Sequence, residues 1–338
     1  MNITILGAGA WGTALAIALG ERHRPFLWGR NDGLMRDAAT RRENVAYLPG
    51  FQLPESLTVS ADFDAAVAHV THATHATSAE EALLIVAAPL AGLRPLLTRL
   101  QGKAIPNLVW LCKGFEEKTQ LLPHQVAREL LGAELAIGAL SGPSFAQEVA
   151  RGLPCALVIA SDSAALRERV VSAVHGGNIR VYSTDDMVGV EVGGAVKNIL
   201  AIATGIIDGM GLGFNARAGL ITRGLAEITR LGISLGGRSE TFMGLAGMGD
   251  LLLTCTGDLS RNRQVGLGLA QGKRLDVIVT ELGHVAEGVR CAQAVRTLAR
   301  ECGVDMPITN AVAGVLFDGD SPQAMVTSLL SRDPRDEA

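Results

Sequence analysis

The chain has 338 residues, 48% of them hydrophobic and 19% charged, which excludes a disordered chain and leaves room for two domains, each with its own core. A formal net charge of −4 argues against a general nucleic-acid binder. The five cysteines, Cys112, Cys155, Cys255, Cys291 and Cys302, are spread out with no CxxC pair, as expected of reduced thiols in a cytoplasmic protein.

The first predicted element is a β-rich run at 2–6, NITIL. It leads straight into Gly7-Ala8-Gly9-Ala10-Trp11-Gly12 and the helix-forming TALAIALGE. This is GxGxxG between a strand and a helix, at the head of an α/β pattern. The first glycine permits a tight turn, the second lets a pyrophosphate approach the backbone, and the third lets helix and strand pack closely. The phosphates then meet a helix N-terminus, where free N–H groups and the dipole favour anions. In this context Gly7, Gly9 and Gly12 predict dinucleotide binding. The same stretch superficially mimics a signal peptide but lacks a basic leading region. The second strand, 25–28, runs into Gly29-Arg30-Asn31-Asp32. An NAD-selective site has an acid at this point. Here Arg30 arrives first and suits a 2′-phosphate, which favours NADPH while leaving NADH open.

Residues 33–50 read as helical up to a turn at Leu48-Pro49-Gly50, and 57–60 as a third strand. The connection 62–81 is rich in alanine and histidine, with His69, His72 and His75 at intervals of three. Those positions spread around a helix and lack a fourth partner, so no metal site is expected. The apolar run 83–87 fits a buried parallel strand, a helix follows to about 100, and a strand at 108–111 ends at Cys112-Lys113-Gly114. Ligands of open α/β sheets gather at the carboxyl ends of strands, which places Lys113 in the expected cleft. A strand at 136–140 ends in Ser141-Gly142-Pro143-Ser144-Phe145-Ala146, where turn and helix start together and N–H groups are free to meet a ligand oxygen. Strands at 155–160 and 179–183 flank a helix at 164–174.

Asp185-Asp186 then caps the stretch around which the chain is organised, 187–208, MVGVEVGGAVKNILAIATGIID. It is long, apolar and free of proline, and so reads as a buried helix. Gly193, Gly194 and Gly205 cost helix propensity and imply close approach of a backbone or a ligand. Lys197, with Asn198 beside it, interrupts the apolar run, so neither this stretch nor 82–93 reads as a membrane span. A buried ammonium is costly unless it is paired or its pKa falls, which makes Lys197 a candidate proton donor; a lysine snorkelling at the helix edge is the competing reading.

Beyond 187 the pattern is helices separated by glycine breaks at 209–213, 236–237, 247–249 and 257. The segment 244–260, GLAGMGDLLLTCTGDLS, sets Asp250 between a glycine and a run of three leucines. Ser260 reads as an N-cap, and Arg261 and Asn262 open the next helix. A fork donor, an amide donor, N–H groups and the dipole together make a phosphate seat. Val285-Ala286-Glu287-Gly288 precedes the last helices, 290–302 and 308–317. Glu287 is placed to reach a cofactor or to cap a helix, and both readings stay open. The fold expected is α/β: an N-terminal Rossmann-like dinucleotide-binding domain, 1–184, followed by an all-α C-terminal domain, 185–338.

With these residues in view the sequence resembles the bacterial NAD(P)-dependent glycerol-3-phosphate dehydrogenase family over nearly its whole length. The carriers are GAGAWGTALA at 7–16, NVAYLPG at 44–50, CKGFE at 112–116, LSGPSFAQEV at 140–149, EVGGAVKNILAIATGIIDGMGLGFNARAGLITRG at 191–224 and GMGDLLLTCTGDLSRNR at 247–263. The resemblance implies that Lys197 is the proton donor and acceptor, with Lys113 and Asp250 completing the polar centre. It implies that Gly142 and Ser144 contact substrate, and that Ser260, Arg261 and Asn262 hold the substrate's end. Ala10, Trp11, Arg30, Lys113, Ala146, Arg261, Val285 and Glu287 are implied to line the cofactor site, while Asn198 and Thr254 match positions lining the substrate site in related eukaryotic enzymes. The implied reaction is reversible NAD(P)H-dependent reduction of dihydroxyacetone phosphate to sn-glycerol 3-phosphate for phospholipid synthesis, by a cytoplasmic protein expected to be a homodimer. The chain departs from the family pattern between 65 and 81, where the link is longer. Two other readings remain open to the sequence: a hydroxyacid dehydrogenase of the same two-domain plan and a non-catalytic NADPH sensor.

Overall fold

The structure is a computed structural model that describes residues 1–71, 82–283 and 286–333. His72, His75 and Val285 lie outside the described residues. The chain divides into two compact units, one made of 1–113 and 121–191, the other of 114–120 and 192–338.

The first unit is built on an eight-stranded sheet. Its strands are β1 (Ile3–Leu6), β2 (Phe26–Trp28), β3 (Thr58–Ser60), β4 (Leu83–Val86), β5 (Leu108–Trp110), β6 (Ile137–Ser141), β7 (Cys155–Ala160) and β8 (Ile179–Thr184). The order across the sheet is β3-β2-β1-β4-β5-β6-β7-β8. All pairs are parallel except β6 with β7. Parallel neighbours need crossover helices, and the chain supplies α1 (Ala10–Gly20), α2 (Asp32–Arg41), α3 (Phe63–Thr71), α4 (Leu93–Leu100), α5 (Pro123–Leu131) and, between β7 and β8, α7 (Ala164–Val174). Only the short α6 (Ala146–Ala150) separates β6 from β7, and these two run antiparallel. β1 and β4 are buried along their whole length, the signature of strands covered on both faces. Ile3, Ile5, Leu83 and Ile85 from these strands pack with Leu15 and Leu19 of α1 in one core.

The order β3-β2-β1-β4-β5-β6 reverses direction between β1 and β4, which makes that gap the switch point where open α/β sheets bind ligands. The helix expected over 33–50 is shorter than the sequence suggests. It ends at Arg41, and Arg42 takes a left-handed conformation with φ of 54°. The segment that follows is a folded loop: Leu53 N donates to Arg42 O at 2.7 Å and Leu48 is buried in the core. Its tertiary contacts outweigh its local helical pattern.

α8 (Met187–Gly209) begins in the first unit and continues into the second. Asp186 caps it, its Oδ1 accepting from Gly189 N at 2.8 Å. It is long and apolar enough to cross a membrane by composition, yet it is buried inside the protein. The first-unit end of α8 is held by Glu191, which accepts from Trp110 Nε1 at 3.0 Å and His124 N at 3.0 Å and pairs with His124 Nδ1. Burial pushes the Glu191 carboxyl pKa up, against the pull of those partners.

The second unit is helical among its described residues: α9 (Gly213–Ser234), α10 (Ser239–Phe242), α11 (Asp250–Thr256), α12 (Arg261–Ala270), α13 (Leu275–Glu281), α14 (Glu287–Glu301), α15 (Pro307–Ala313) and α16 (Pro322–Leu330). Residues 247–249, expected as a break, belong to a π-helical turn, Leu245–Gly249, that runs into α11. The helices expected at 290–302 and 308–317 begin at Glu287 and Pro307, and α16 follows as a further element. α8 and α12 touch backbone to backbone. A Cβ on Gly205 would lie 2.1 Å from Arg263 O, and one on Gly266 would lie 2.0 Å from Ile202 O. A Cβ on Gly193 would likewise lie 2.8 Å from Ala246 O, so Gly193 and Gly205 serve close packing of another backbone, one of the two roles expected of them. On α9, Glu227 caps α15 from outside, accepting from Ile308 N at 2.6 Å and from Thr309 N and Oγ1 at 3.2 Å.

Candidate active site

In the first unit the centre is the turn joining β1 to α1. Gly7 has φ of +129°, and a Cβ there would lie 2.6 Å from Ala87 C at the end of β4. A Cβ on Gly12 would lie 2.0 Å from Gly7 O. These two glycines are demanded by the protein's own packing. Gly9 differs: its φ is −71°, and a Cβ there would meet nothing within 4 Å. Space is kept open at Gly9 although the fold does not require it. Among the described residues no side chain caps the N-terminus of α1. A glycine facing open space at an uncapped helix start is a fit for a dinucleotide pyrophosphate.

The neighbouring loop is tied to this turn. Trp11 Nε1 donates to Ser144 O at 3.1 Å, and Ser144 Oγ donates to Gly142 O at 3.2 Å. Gly142, with φ of +131°, lies under Ala156 O of β7. Ala10, Trp11, Gly142, Ser144 and Ala146 thus belong to one corner, linked through Trp11. Arg30 follows β2 and is exposed, and Lys113 is half-buried beyond the end of β5.

In the second unit the centre is Lys197, only 6% exposed. Its Nζ pairs with the Asp250 carboxylate and donates to Thr254 Oγ1 at 2.8 Å. The Thr254 hydroxyl in turn donates to Asp250 O at 2.6 Å. The ammonium is buried and paired, the arrangement that makes its burial affordable. Asp250 opens α11 and Thr254 is one turn on, so both face α8 together. Cys255 lies in the same environment. Burial pushes its thiol up to about 12, although the Thr204 hydroxyl and the Lys197 charge pull it down.

A second polar chain crosses the same unit. Asn262 Nδ2 donates to Asn198 Oδ1 at 3.0 Å, and Asn262 Oδ1 accepts from Gly288 N at 2.9 Å. It joins α8, the start of α12 and the start of α14. Ser260 caps α12, its Oγ accepting from Arg263 N at 3.3 Å. Arg261, the first residue of that helix, has its guanidinium partly withdrawn from water. That lowers its pKa, against the attraction of Glu287. Arg261 and Glu287, far apart in sequence, are therefore electrostatic neighbours at two helix starts. Arg263 points elsewhere, pairing with Asp208 at 2.8 Å and Asp258 at 3.0 Å.

Sequence reasoning missed Asn44, which is 2% exposed and whose Nδ2 donates to Ala8 O at 2.9 Å and Thr13 Oγ1 at 2.8 Å. Its only signal was its place at the head of NVAYLPG.

A glycine turn at the switch point of a parallel sheet, in a chain that also buries a lysine–aspartate–threonine centre, defines the class of nicotinamide-dependent dehydrogenases with a helical second domain. The comparisons narrow the class. The family model for the NAD-dependent glycerol-3-phosphate dehydrogenase N-terminus matches residues 2–167, and the model for its C-terminus matches 186–327. The glycerol-3-phosphate dehydrogenase [NAD(P)+] of Herminiimonas arsenicoxydans is 72% identical, covering 100% of this chain and 99% of that one. That of Paucimonas lemoignei is 71% identical with the same coverage. The crystal structure of the Coxiella burnetii glycerol-3-phosphate dehydrogenase superposes with a TM-score of 0.91 at 40% identity, covering 98% of each chain. The chain belongs to the NAD-dependent glycerol-3-phosphate dehydrogenase family.

Proposed function

We propose that this protein catalyses the reversible NAD(P)H-dependent reduction of dihydroxyacetone phosphate to sn-glycerol 3-phosphate, supplying glycerol phosphate for phospholipid synthesis. The observation that carries the mechanism is the buried Lys197 held by Asp250 and Thr254. The turn at Gly7, Gly9 and Gly12 holds the pyrophosphate, with Ala10, Trp11, Ala146 and Glu287 as the further cofactor-binding residues. Arg30 reads a 2′-phosphate. A bound nicotinamide would supply hydride to the ketone carbon in reduction and take it from the carbinol carbon in oxidation. In reduction negative charge develops on the ketone oxygen and Lys197 gives that oxygen its proton; in oxidation it takes that proton back. Asp250 and Thr254 fix the direction of the Lys197 N–H bonds, so little reorganisation accompanies the transfer. Lys113 adds positive field. Arg261 and Asn262, at the start of α12, seat the substrate phosphate, while Gly142, Ser144, Asn198 and Ser260 shape the rest of its site.

The experiment that tests this reading monitors NADPH and NADH oxidation with dihydroxyacetone phosphate, alongside 2- and 3-keto acids. Oxidation with the phosphorylated ketone alone supports it; turnover only with keto acids replaces it with a hydroxyacid dehydrogenase. We further read the protein as a cytoplasmic homodimer. The spread of the five cysteines without a CxxC pair supports the compartment, and the exposed Leu212 and Phe214 at the turn into α9 support association through the helical unit. Light scattering that gave the 35.3 kDa of one chain would reject the dimer.

A further inference from the structure

The loop after α2 does more than connect it to β3. It carries Asn44 inward, where the amide meets Ala8 O and the Thr13 hydroxyl, and Thr13 Oγ1 itself lies 3.5 Å from Ala8 O. Ala8 is the residue between the first two glycines of the turn. Its carbonyl belongs to the same peptide unit as the Gly9 N–H. No peptide in the described chain is cis, and in a trans peptide the C=O and N–H point in opposite directions. Holding the Ala8 carbonyl therefore aims the Gly9 N–H away from Asn44, on the residue where space is kept open.

The loop is built to keep Asn44 in place. Leu48 N donates to Asn44 O at 2.8 Å, and Arg42 Nη2 donates to Leu57 O at 3.1 Å and also reaches Pro54 O. Gly50 N donates to Glu43 Oε1 at 2.7 Å. A buried primary amide of this kind is replaceable only by a group that also donates, because Ala8 O and Thr13 Oγ1 both take its hydrogens.

We propose that Asn44, backed by Thr13, is a positioning residue for cofactor binding, orienting the Ala8–Gly9 peptide toward the pyrophosphate. The proposal rests on the reading that the glycine turn holds the cofactor. The test measures NADP⁺ and NAD⁺ affinity, kcat at saturating cofactor and thermal unfolding for Asn44→Asp, Thr13→Val and Gly9→Val. At pH 8 the carboxylate of Asn44→Asp faces the carbonyl oxygen without a proton to donate. Its cofactor Kd is expected to rise about tenfold or more, with kcat at saturation and the KM for the second substrate within about twofold of wild type. Burial against the Ala8 carbonyl raises the pKa of that carboxyl above the ordinary aspartate value, so lowering the pH toward 4 restores a donor and the affinity ratio to wild type recovers. A purely structural lesion would move kcat and both KM values together and follow the melting temperature.

Thr13→Val is expected to raise Kd about threefold, and it decides the matter should Asn44→Asp not fold. Wild-type affinity in a folded Asn44→Asp, or in Thr13→Val when that variant decides, overturns the proposal. Gly9→Val separates the two levels. If it loses cofactor while Asn44→Asp does not, the positioning role alone fails; if it binds normally, the glycine-turn reading fails with it.

Discussion

The glycine turn of the first unit and the lysine centre of the second solve different problems with different materials. At the turn, function rests on backbone: a Cβ on Gly7 or Gly12 would come within 2.6 Å of Ala87 C or 2.0 Å of Gly7 O, and Gly9 is left open. At the lysine, function rests on side chains: Lys197 is buried and meets Asp250 and Thr254, residues 53 and 57 positions away in the chain. The difference predicts how each should fail. A backbone site tolerates no bulk, whereas a side-chain site tolerates bulk of the right shape but not the loss of one charge.

The largest effect belongs to the turn. Gly12→Val should abolish cofactor binding, because the new Cβ has no room against Gly7 O; retained NADPH binding by fluorescence titration would break the contrast. At the lysine, Asp250→Asn removes the counter-charge of a buried ammonium, and loss of one partner of a buried pair costs roughly 3–5 kcal/mol. Denaturant unfolding should register that loss, while the double variant Lys197→Met/Asp250→Leu should recover stability and stay inactive. A double variant no more stable than Asp250→Asn would show that the pair is not the source.

Glu227 sharpens the comparison from a third position, since among the described residues its hydrogen-bond donors are Ile308 and Thr309 rather than a cation. Burial raises it to about 7, against the Ile308 and Thr309 donors. The folded state thus binds this proton more tightly than the unfolded chain. The contribution is fully present below about pH 4.5 and is lost as the pH rises through about 7. At roughly 1.4 kcal/mol per pKa unit this amounts to about 3 kcal/mol. Glu227→Gln should flatten that part of the stability profile between pH 5 and 7; an unchanged slope would assign it to other groups. The smallest effect is expected at Arg30, which is exposed. Arg30→Ala should raise the KM for NADPH several-fold, on the scale of one charge-assisted hydrogen bond, and leave that for NADH near wild type.

The same contrast explains what the sequence made legible. Glycine spacing and apolar runs are local signals, and they located the turn, all eight strands and α8 to within a residue or two. Ser260 as a cap was legible for the same reason. The helix expected to 50 stops at Arg41 because Asn44 and Leu48 serve the core rather than a helix face. Residues 247–249 looked like a break because glycines disfavour helix, yet a Cβ on Gly247 would lie 2.1 Å from Phe242 O, so that glycine serves close packing within a helical turn. Glu191 and Glu227 gave no signal, since a carboxylate that caps a helix from a distant element looks like any other glutamate until the chain is folded. The residues alone stated the pairing of Lys197 only as a need; the resemblance put Asp250 in the same polar centre, and the contact with Thr254 required the structure.

The most direct measurement is the turnover of Lys197→Ala with dihydroxyacetone phosphate at saturating NADPH, with cofactor affinity measured on the same protein. General acid catalysis contributes about 10²–10⁴-fold, so kcat should fall at least a hundredfold while NADPH still binds. Turnover close to wild type would contradict the assignment of the proton to this lysine.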